Sequence, residues 1–288
     1  MTHARTDREH LIRKEYATDA ALSVRIRTHE LYTQPPVDFA AWVLDHLAWR
    51  GDETVLDVGC GSGAYLAPVH ERLTRGGGIL AADLSLGMLR DLRAKRALER
   101  VSLLNASVTA LPLPDACCDV AMANHMLFYV QDLPRALAEI WRVLRPGGQF
   151  VATTNARDSM QVLWDEVIAA CNALGFEVNF GEGASVSGFN LENGDDIIAP
   201  FFPDVACYTL ETALVFPEPE PVLDYVNSTR TVREPLLPPG LTWDAMMEQL
   251  QRQVSARIYA KGEYRVPKTS GMFLGARPLR NLVEVSRG

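Results

Sequence analysis

The chain has 288 residues, 48% hydrophobic and 22% charged, enough to bury a core for one large domain or a domain with a subdomain. Its longest apolar run, 119–130, is broken by Asn124 and His125 and falls short of the roughly 20 residues that span a bilayer; residues 1–15 are charged and lack the apolar stretch of an export signal, so no membrane insertion is expected and the cytoplasm is the expected compartment. A net charge of -8 argues against a surface that tracks nucleic-acid phosphates, and five cysteines (Cys60, Cys117, Cys118, Cys171, Cys207) without C-x-x-C spacing argue against a disulfide framework or structural zinc.

In chain order, Val37, Ala40, Val43, Leu44 and Leu47 fall on one helical stripe and predict a helix over 37–49. Thr54–Val58, 79–83, Val101–Asn105, 119–123 and 150–154 read as five short buried strands. Ser85 is positioned to cap a helix that turns Leu89 and Leu92 inward. A further helix opens near Asp132 with Pro134 in its first turn, buries Leu133, Leu137, Ile140 and Leu144, and is expected to stop at Pro146-Gly147-Gly148. Residues 159–174 repeat the helical pattern up to Gly175. This alternation of strands and helices from 37 to 175 defines an α/β chain built on a parallel sheet with helices on both faces. Beyond Gly175 the rhythm is lost. There 205–216 is strand-like, 243–260 helix-like, and 263–276 reads as a strand pair interrupted at Thr269-Ser270-Gly271.

The first strand runs into Asp57-Val58-Gly59-Cys60-Gly61-Ser62-Gly63. Glycines at that junction let bare backbone N–H groups approach a ligand, which indicates a nucleotide cofactor. The spacing also satisfies the relaxed dinucleotide fingerprint, so the glycines alone leave NAD and S-adenosylmethionine (SAM) both open. Asp83, twenty residues after Gly63, is placed to accept hydrogen bonds from the ribose that either cofactor carries. Asp57 discriminates: a carboxylate at the mouth of the strand repels a pyrophosphate and favours the ammonium of a methionine moiety.

These residues, together with Asp83-Leu84-Ser85 and Met88, Leu111-Pro112-Leu113-Pro114-Asp115 before Cys118-Asp119-Val120, and Leu144-Arg145-Pro146-Gly147-Gly148, resemble the class I SAM-dependent methyltransferases, particularly the ubiquinone/menaquinone-biosynthesis type. The resemblance covers roughly 37–155. It implies a Rossmann-like, doubly wound, seven-stranded sheet with its last strand antiparallel, and substrate bound over the carboxyl ends of the strands. It further implies that Gly59, Gly61 and Gly63, with Cys60 filling space between them, approach the methionine part. Asp83 then meets the ribose, Leu84 and Met88 the adenine faces, and Ser107 and Val108 the adenine edge. The family often has an aspartate where Ser107 stands. Related enzymes also often have a covering segment ahead of the first core helix, which points to Tyr16, Arg25, Arg27, His29 and Tyr32, with Tyr32 closing over the sulfonium by cation–π attraction.

Asn124 and His125 follow the fourth strand, where this architecture places groups that face the transferred methyl, and His125 is the acid–base candidate. The organisation expected is a lid segment over 1–36, a SAM-binding core over 37–175, a substrate-covering elaboration over 176–262, and a strand returning to the sheet over 263–288. The acidic run 182–196 is either a lure for a cationic substrate or a solvated loop. The resulting expectation is an enzyme that transfers methyl from SAM to an O, N or C nucleophile of a small molecule by direct displacement, releasing S-adenosylhomocysteine without a metal. Two other readings stay open: methylation of RNA or protein, which needs a basic or open groove, and a SAM-binding module without turnover.

Overall fold

The computed structural model describes residues 20–94, 100–178, 180 and 188–279. Tyr16 and part of the acidic run, 182–187, lie outside them. In chain order the elements are α1 (Ala20–Tyr32), β1 (Thr33–Gln34), α2 (Phe39–Leu44), β2 (Thr54–Val58), α3 (Leu66–Arg72), β3 (Gly78–Asp83), α4 (Leu86–Ala94), β4 (Val101–Asn105), β5 (Cys118–Asn124), α5 (Leu133–Val143), β6 (Leu144–Asn155), α6 (Gln161–Ala173), α7 (Gly194–Ile198), β7 (Ala206–Phe216), α8 (Glu220–Asn227), α9 (Arg230–Arg233), α10 (Trp243–Lys261) and β8 (Tyr264–Ala276). Among the described residues no helix is long and apolar enough to cross a membrane.

The strands form one sheet in the order β1-β7-β8-β6-β5-β2-β3-β4. From β6 to β4 every neighbouring pair is parallel. The α/β architecture is as expected, and the two-residue β1, antiparallel to β7 with Thr33 opposite Leu214, makes eight strands of the implied seven.

By chain contacts the described residues fall into two units. Unit 2 draws on Phe39–Thr154, Gly188–Thr209 and Gly271–Gly288; unit 1 draws on Met1–Asp38, Asn155–Ser187 and Leu210–Ser270. The units therefore interleave along the chain, whereas the sequence boundaries at 36, 175 and 262 divide it into consecutive pieces.

In unit 2 the two-residue period of the strands sorts side chains to opposite faces. Leu56 and Val58 of β2, Ala121 and Ala123 of β5, and Phe150 and Ala152 of β6 join a core with Leu137 and Ile140 of α5. The alternate residues Val55, Val120, Met122 and Val151 join a second core with Val43 of α2, Val69 of α3 and Leu92 of α4. Strands buried on both faces are the expected outcome of a helix layer on each side. The helix caps match the sequence: Asp132 accepts a hydrogen bond from the Arg135 amide at 3.0 Å, and the Ser85 hydroxyl one from the Met88 amide at 3.2 Å. Unit 1 has its own core, in which Leu163 and Val167 of α6 pack with Trp243, Leu250 and Val254 of α10 and with Phe216 and Val266.

Three elements differ from expectation. The helix over 37–49 is only Phe39–Leu44, because the chain then tightens into i→i+3 turns (His46 amide to Val43, Leu47 amide to Leu44) that still bury Leu47. The Pro146-Gly147-Gly148 stop lies inside β6: the helix already ends at Val143, and these residues form an irregularity between the Cys118↔Leu144 and Val120↔Gln149 pairs, with Gly147 at φ +80°. The strand pair over 263–276 is one continuous strand, β8. Gly271 is there for close approach, since a Cβ would run into the Tyr208 carbonyl.

At the amino-terminal end of the parallel strands, Asp119 accepts from the Thr54 amide at 2.9 Å and from Arg50 at 3.1 Å, and also pairs with Arg145. Burial works against its charge, but the Thr54 amide and the two guanidiniums outweigh it and hold the carboxyl below the usual aspartate range. A depressed carboxyl contributes stability above its unfolded pKa of about 4 and loses it as pH falls through the folded value. Asp119→Asn should therefore cost about 1–3 kcal/mol near pH 7, with the gap to wild type narrowing near pH 3 in urea unfolding. An equal gap at both pH values would show that ionisation of Asp119 is irrelevant to the fold.

Candidate active site

Parallel pairing carries β2, β3 and β5 to the same edge of the sheet: Asp57 lies opposite both Ala81 and Met122, and Val58 opposite Ala82. The residues that leave those strands are the ones the sequence singled out. The loop after β2 is anchored by Gly59 and Cys60 amides donating to the Ala82 carbonyl at 2.7 and 3.1 Å. Gly59 takes φ +68° and Gly63 φ +83°; a Cβ on Gly59 would sit 2.8 Å from the Met126 Cβ, and one on Gly63 2.6 Å from Leu92 Cδ1. The glycines are thus required twice over, by backbone conformation and by packing.

Asp83 ends β3 and folds back on this loop. Its Oδ2 accepts from the Gly61 amide at 2.9 Å and its Oδ1 from the Ser85 amide at 2.7 Å. Burial raises its pKa, offset by the amides of Ser85, Gly61 and Leu84. Each oxygen retains lone-pair capacity for a further donor.

Asp57 is the unusual group. It is 2% exposed, and its Oδ1 has no hydrogen-bond partner; neither has the Oδ1 or the Nδ2 of Asn124. Burial pushes the carboxyl up to about 7; the nearby Asn124 amide restrains the rise, although its geometry is too loose for a good hydrogen bond, and the charge of Asp83 adds to it. Burial, then Asp57 and Asp83, also push the Cys60 thiol up, which makes it a space-filling group and not a nucleophile.

His125 follows Asn124 with φ +49°, a left-handed conformation that is uncommon for a residue with a side chain. Its amide donates to both the carbonyl (3.1 Å) and the hydroxyl (3.0 Å) of Thr153, and its ring tilts against Phe39 with centroids 5.5 Å apart. Ser107 is engaged locally, its Oγ 2.8 Å from the Thr109 hydroxyl and accepting from the Thr109 amide. Met88 and Val108 are buried and Leu84 is half-buried. Tyr32 belongs to unit 1, where its ring lies 5.1 Å from that of Phe216.

The sequence reading missed Thr153, Met126 and Phe39. Only Thr153 left a signal: with Thr154 it sets two adjacent hydroxyls directly after the apolar run Phe150-Val151-Ala152, and both are fully buried.

A doubly wound sheet with a glycine loop after one strand and an acid at the end of the next defines a nucleotide-cofactor-binding protein. The profile of a family described as "Methyltransferase domain" matches residues 56–152. A malonyl-[acyl-carrier protein] O-methyltransferase of Pseudescherichia vulneris is 32% identical over 193 residues, 65% of this chain and 74% of that protein. Other relatives of that name, 36–39% identical, are covered over only 41–42% of their length. A ubiquinone/menaquinone biosynthesis C-methyltransferase of Pectobacterium carotovorum is 33% identical over 106 residues, 35% of this chain and 42% of that protein. In fold, the chain is similar to Haemonchus contortus phosphoethanolamine N-methyltransferase 2 in complex with SAM, at TM-score 0.56 and 15% identity, covering 94% of this chain and 60% of that one. The chain belongs to the class I SAM-dependent methyltransferases.

A carboxyl whose folded pKa is raised above its unfolded value binds protons more tightly in the native state, so it lowers stability as pH climbs from about 4 to about 7 and keeps the full penalty above that. Asp57→Asn should raise the melting temperature by a few degrees near pH 8 and by much less near pH 5. Thermal unfolding at the two pH values checks this, and a loss of stability near pH 8 would contradict the burial penalty.

Proposed function

We propose that the edge built by Gly59, Gly61, Gly63, Asp57, Asp83 and Asn124 holds SAM, and that the chain transfers its methyl group to an O, N or C nucleophile of a small molecule. The observation that carries this reading is the buried Asp57 carboxylate with an unpartnered oxygen, beside an unpartnered Asn124 amide. A cation delivered there removes the penalty on the charged form, whereas a pyrophosphate increases it. NAD is therefore the poorer fit.

When bound, the cofactor supplies a methyl group already activated by a sulfonium. Asp57, through the neighbouring backbone and Asn124, orients the methionine ammonium. Asp83, fixed by the Gly61 and Ser85 amides, offers its remaining lone pairs to the ribose hydroxyls. Leu84 and Met88 flank the adenine, with Ser107 and Val108 at its edge. Since the Ser107 hydroxyl is committed to Thr109, the backbone there is the better donor. His125 takes the proton from an acceptor hydroxyl or amine as the methyl arrives; where the acceptor is already an anion, alignment alone accounts for most of the acceleration. The relatives named as malonyl-[acyl-carrier protein] O-methyltransferases favour an oxygen nucleophile on a carboxylic acid. A net charge of -8 fits such a substrate better than nucleic acid, and the cytoplasm is the compartment we assign.

Isothermal titration of the purified chain with SAM, S-adenosylhomocysteine and NAD should show binding of the first two only; binding of NAD alone would overturn the reading of Asp57. Asp83→Ala should weaken SAM binding at least about tenfold with the fold intact, and unchanged affinity would remove Asp83 from the ribose. His125→Gln should leave SAM affinity alone and lower kcat about 100-fold; equal turnover on the true acceptor would remove it from catalysis.

A further inference from the structure

Among the described residues of unit 1, Lys268 is a cation with no carboxylate against it. In β8 the inward positions Tyr264 and Val266 are buried in the unit 1 core, and the next position on that face, two residues on, is Lys268. Its ammonium donates to the Thr33 hydroxyl at 3.0 Å and lies 3.1 Å from His29 Nδ1. The Thr33 hydroxyl gives its own proton to the His29 carbonyl at 2.5 Å, so its oxygen is free to accept. With Nδ1 accepting from an ammonium, the ring proton of a neutral His29 resides on Nε2. The Thr33 partner carries no charge, and burial alone pushes Lys268 down to about 8, so the amine remains mostly charged at neutral pH.

Elsewhere in unit 1 the buried Glu166 carboxylate of α6 meets Arg257 of α10 at 2.6 Å, and the buried Arg233 guanidinium lies over the Trp164 ring, 3.5 Å from its centroid. Among the described residues Lys268 has no carboxylate. An inward-facing ammonium with two hydrogen bonds and no carboxylate is incompletely compensated for its lost hydration, and one of its three N–H groups is left to donate.

We propose that Lys268, framed by Thr33 and His29, is an anion-binding point of unit 1 that takes the carboxylate of an acidic small molecule. The charge balance selects the ligand class. One ammonium is neutralised by one carboxylate, whereas a phosphate dianion would leave a surplus negative charge in a desolvated place, with a single free N–H instead of the several donors phosphate requires. The anion site does not rest on the function proposed above.

The test uses the full chain and butyrate as probe, with butyramide and inorganic phosphate as comparisons. Butyrate should bind wild type and shift the His29 ring resonances, and its affinity should fall at least about tenfold in Lys268→Met and stay within about threefold in Lys268→Arg. Butyramide should not bind, and phosphate should bind more weakly. SAM affinity should be the same in all three proteins. Equal butyrate affinity in Lys268→Met, butyrate binding in wild type that leaves His29 unshifted, or phosphate binding as tight as butyrate would overturn the site; the wild-type His29 readout decides even if the variants do not fold. Loss of SAM binding in every protein would instead count against the cofactor reading and leave the butyrate result standing.

Discussion

Parallel pairing of β2 with β3 on one side and with β5 on the other is the constraint on which the candidate site depends. Because the strands run the same way, their carboxyl ends finish at one edge, and Gly59, Asp83 and Asn124 leave the sheet there together. Helices cover both faces, so polar groups that point along the sheet have only the strand ends in which to find ligands or solvent. The glycine loop has its form because Gly59 and Cys60 must both reach the Ala82 carbonyl while Met126 packs against the bare Cα of Gly59.

The two ends of the same strands are treated in opposite ways. At the amino-terminal end, Glu53 is fully buried and accepts from the Arg50 and Gly51 amides, and Asp119 gathers an amide and two guanidiniums. At the carboxyl end, Asp57 is equally buried and left with an open oxygen. Such asymmetry within one sheet is not what packing alone would produce, since an unpaired buried carboxylate weakens the fold; it marks the end where a ligand completes the pairing. His125 belongs to the same economy. Its left-handed backbone is unfavourable for a residue with a Cβ, and the two hydrogen bonds to Thr153 compensate by fixing the chain where β5 turns away.

Much of this was legible because the signals were local. β2 and β4 are bounded where the apolar runs are bounded, and Asp132 and Ser85 cap as their spacing indicates, since a cap depends only on the next three residues. The glycine loop and Asp83 were legible because both flank strands whose order follows from chain alternation. What escaped depended on neighbours distant in sequence. Gly271 reads as a turn until the Tyr208 backbone is seen against it, and Pro146-Gly147-Gly148 reads as a helix stop until the Gly147 amide donates to the Arg277 carbonyl and the Arg277 amide to the Gly148 carbonyl, just past the end of β8. Thr153 gains meaning only from the amide that it receives. Interleaved units could not be read from any boundary, because 155–187 and 210–270 join through the α6 and α10 packing and no composition change announces it.

Lys268 was invisible for a related reason: one lysine in a strand of 13 residues carries no pattern, and its significance lies in what does not surround it. The chain shows how it treats charges whose role is structural. Arg142 ties Glu139 and Asp115 to the Leu111 and Leu113 carbonyls, Arg257 neutralises Glu166, and Asp119 holds two arginines. Against that habit stand two groups of opposite sign in different units, Asp57 beside an unbonded amide and Lys268 between a hydroxyl and an imidazole. Each is desolvated by its own fold and satisfied only in part, so each has a differential affinity for a partner of opposite charge that its neighbours do not have.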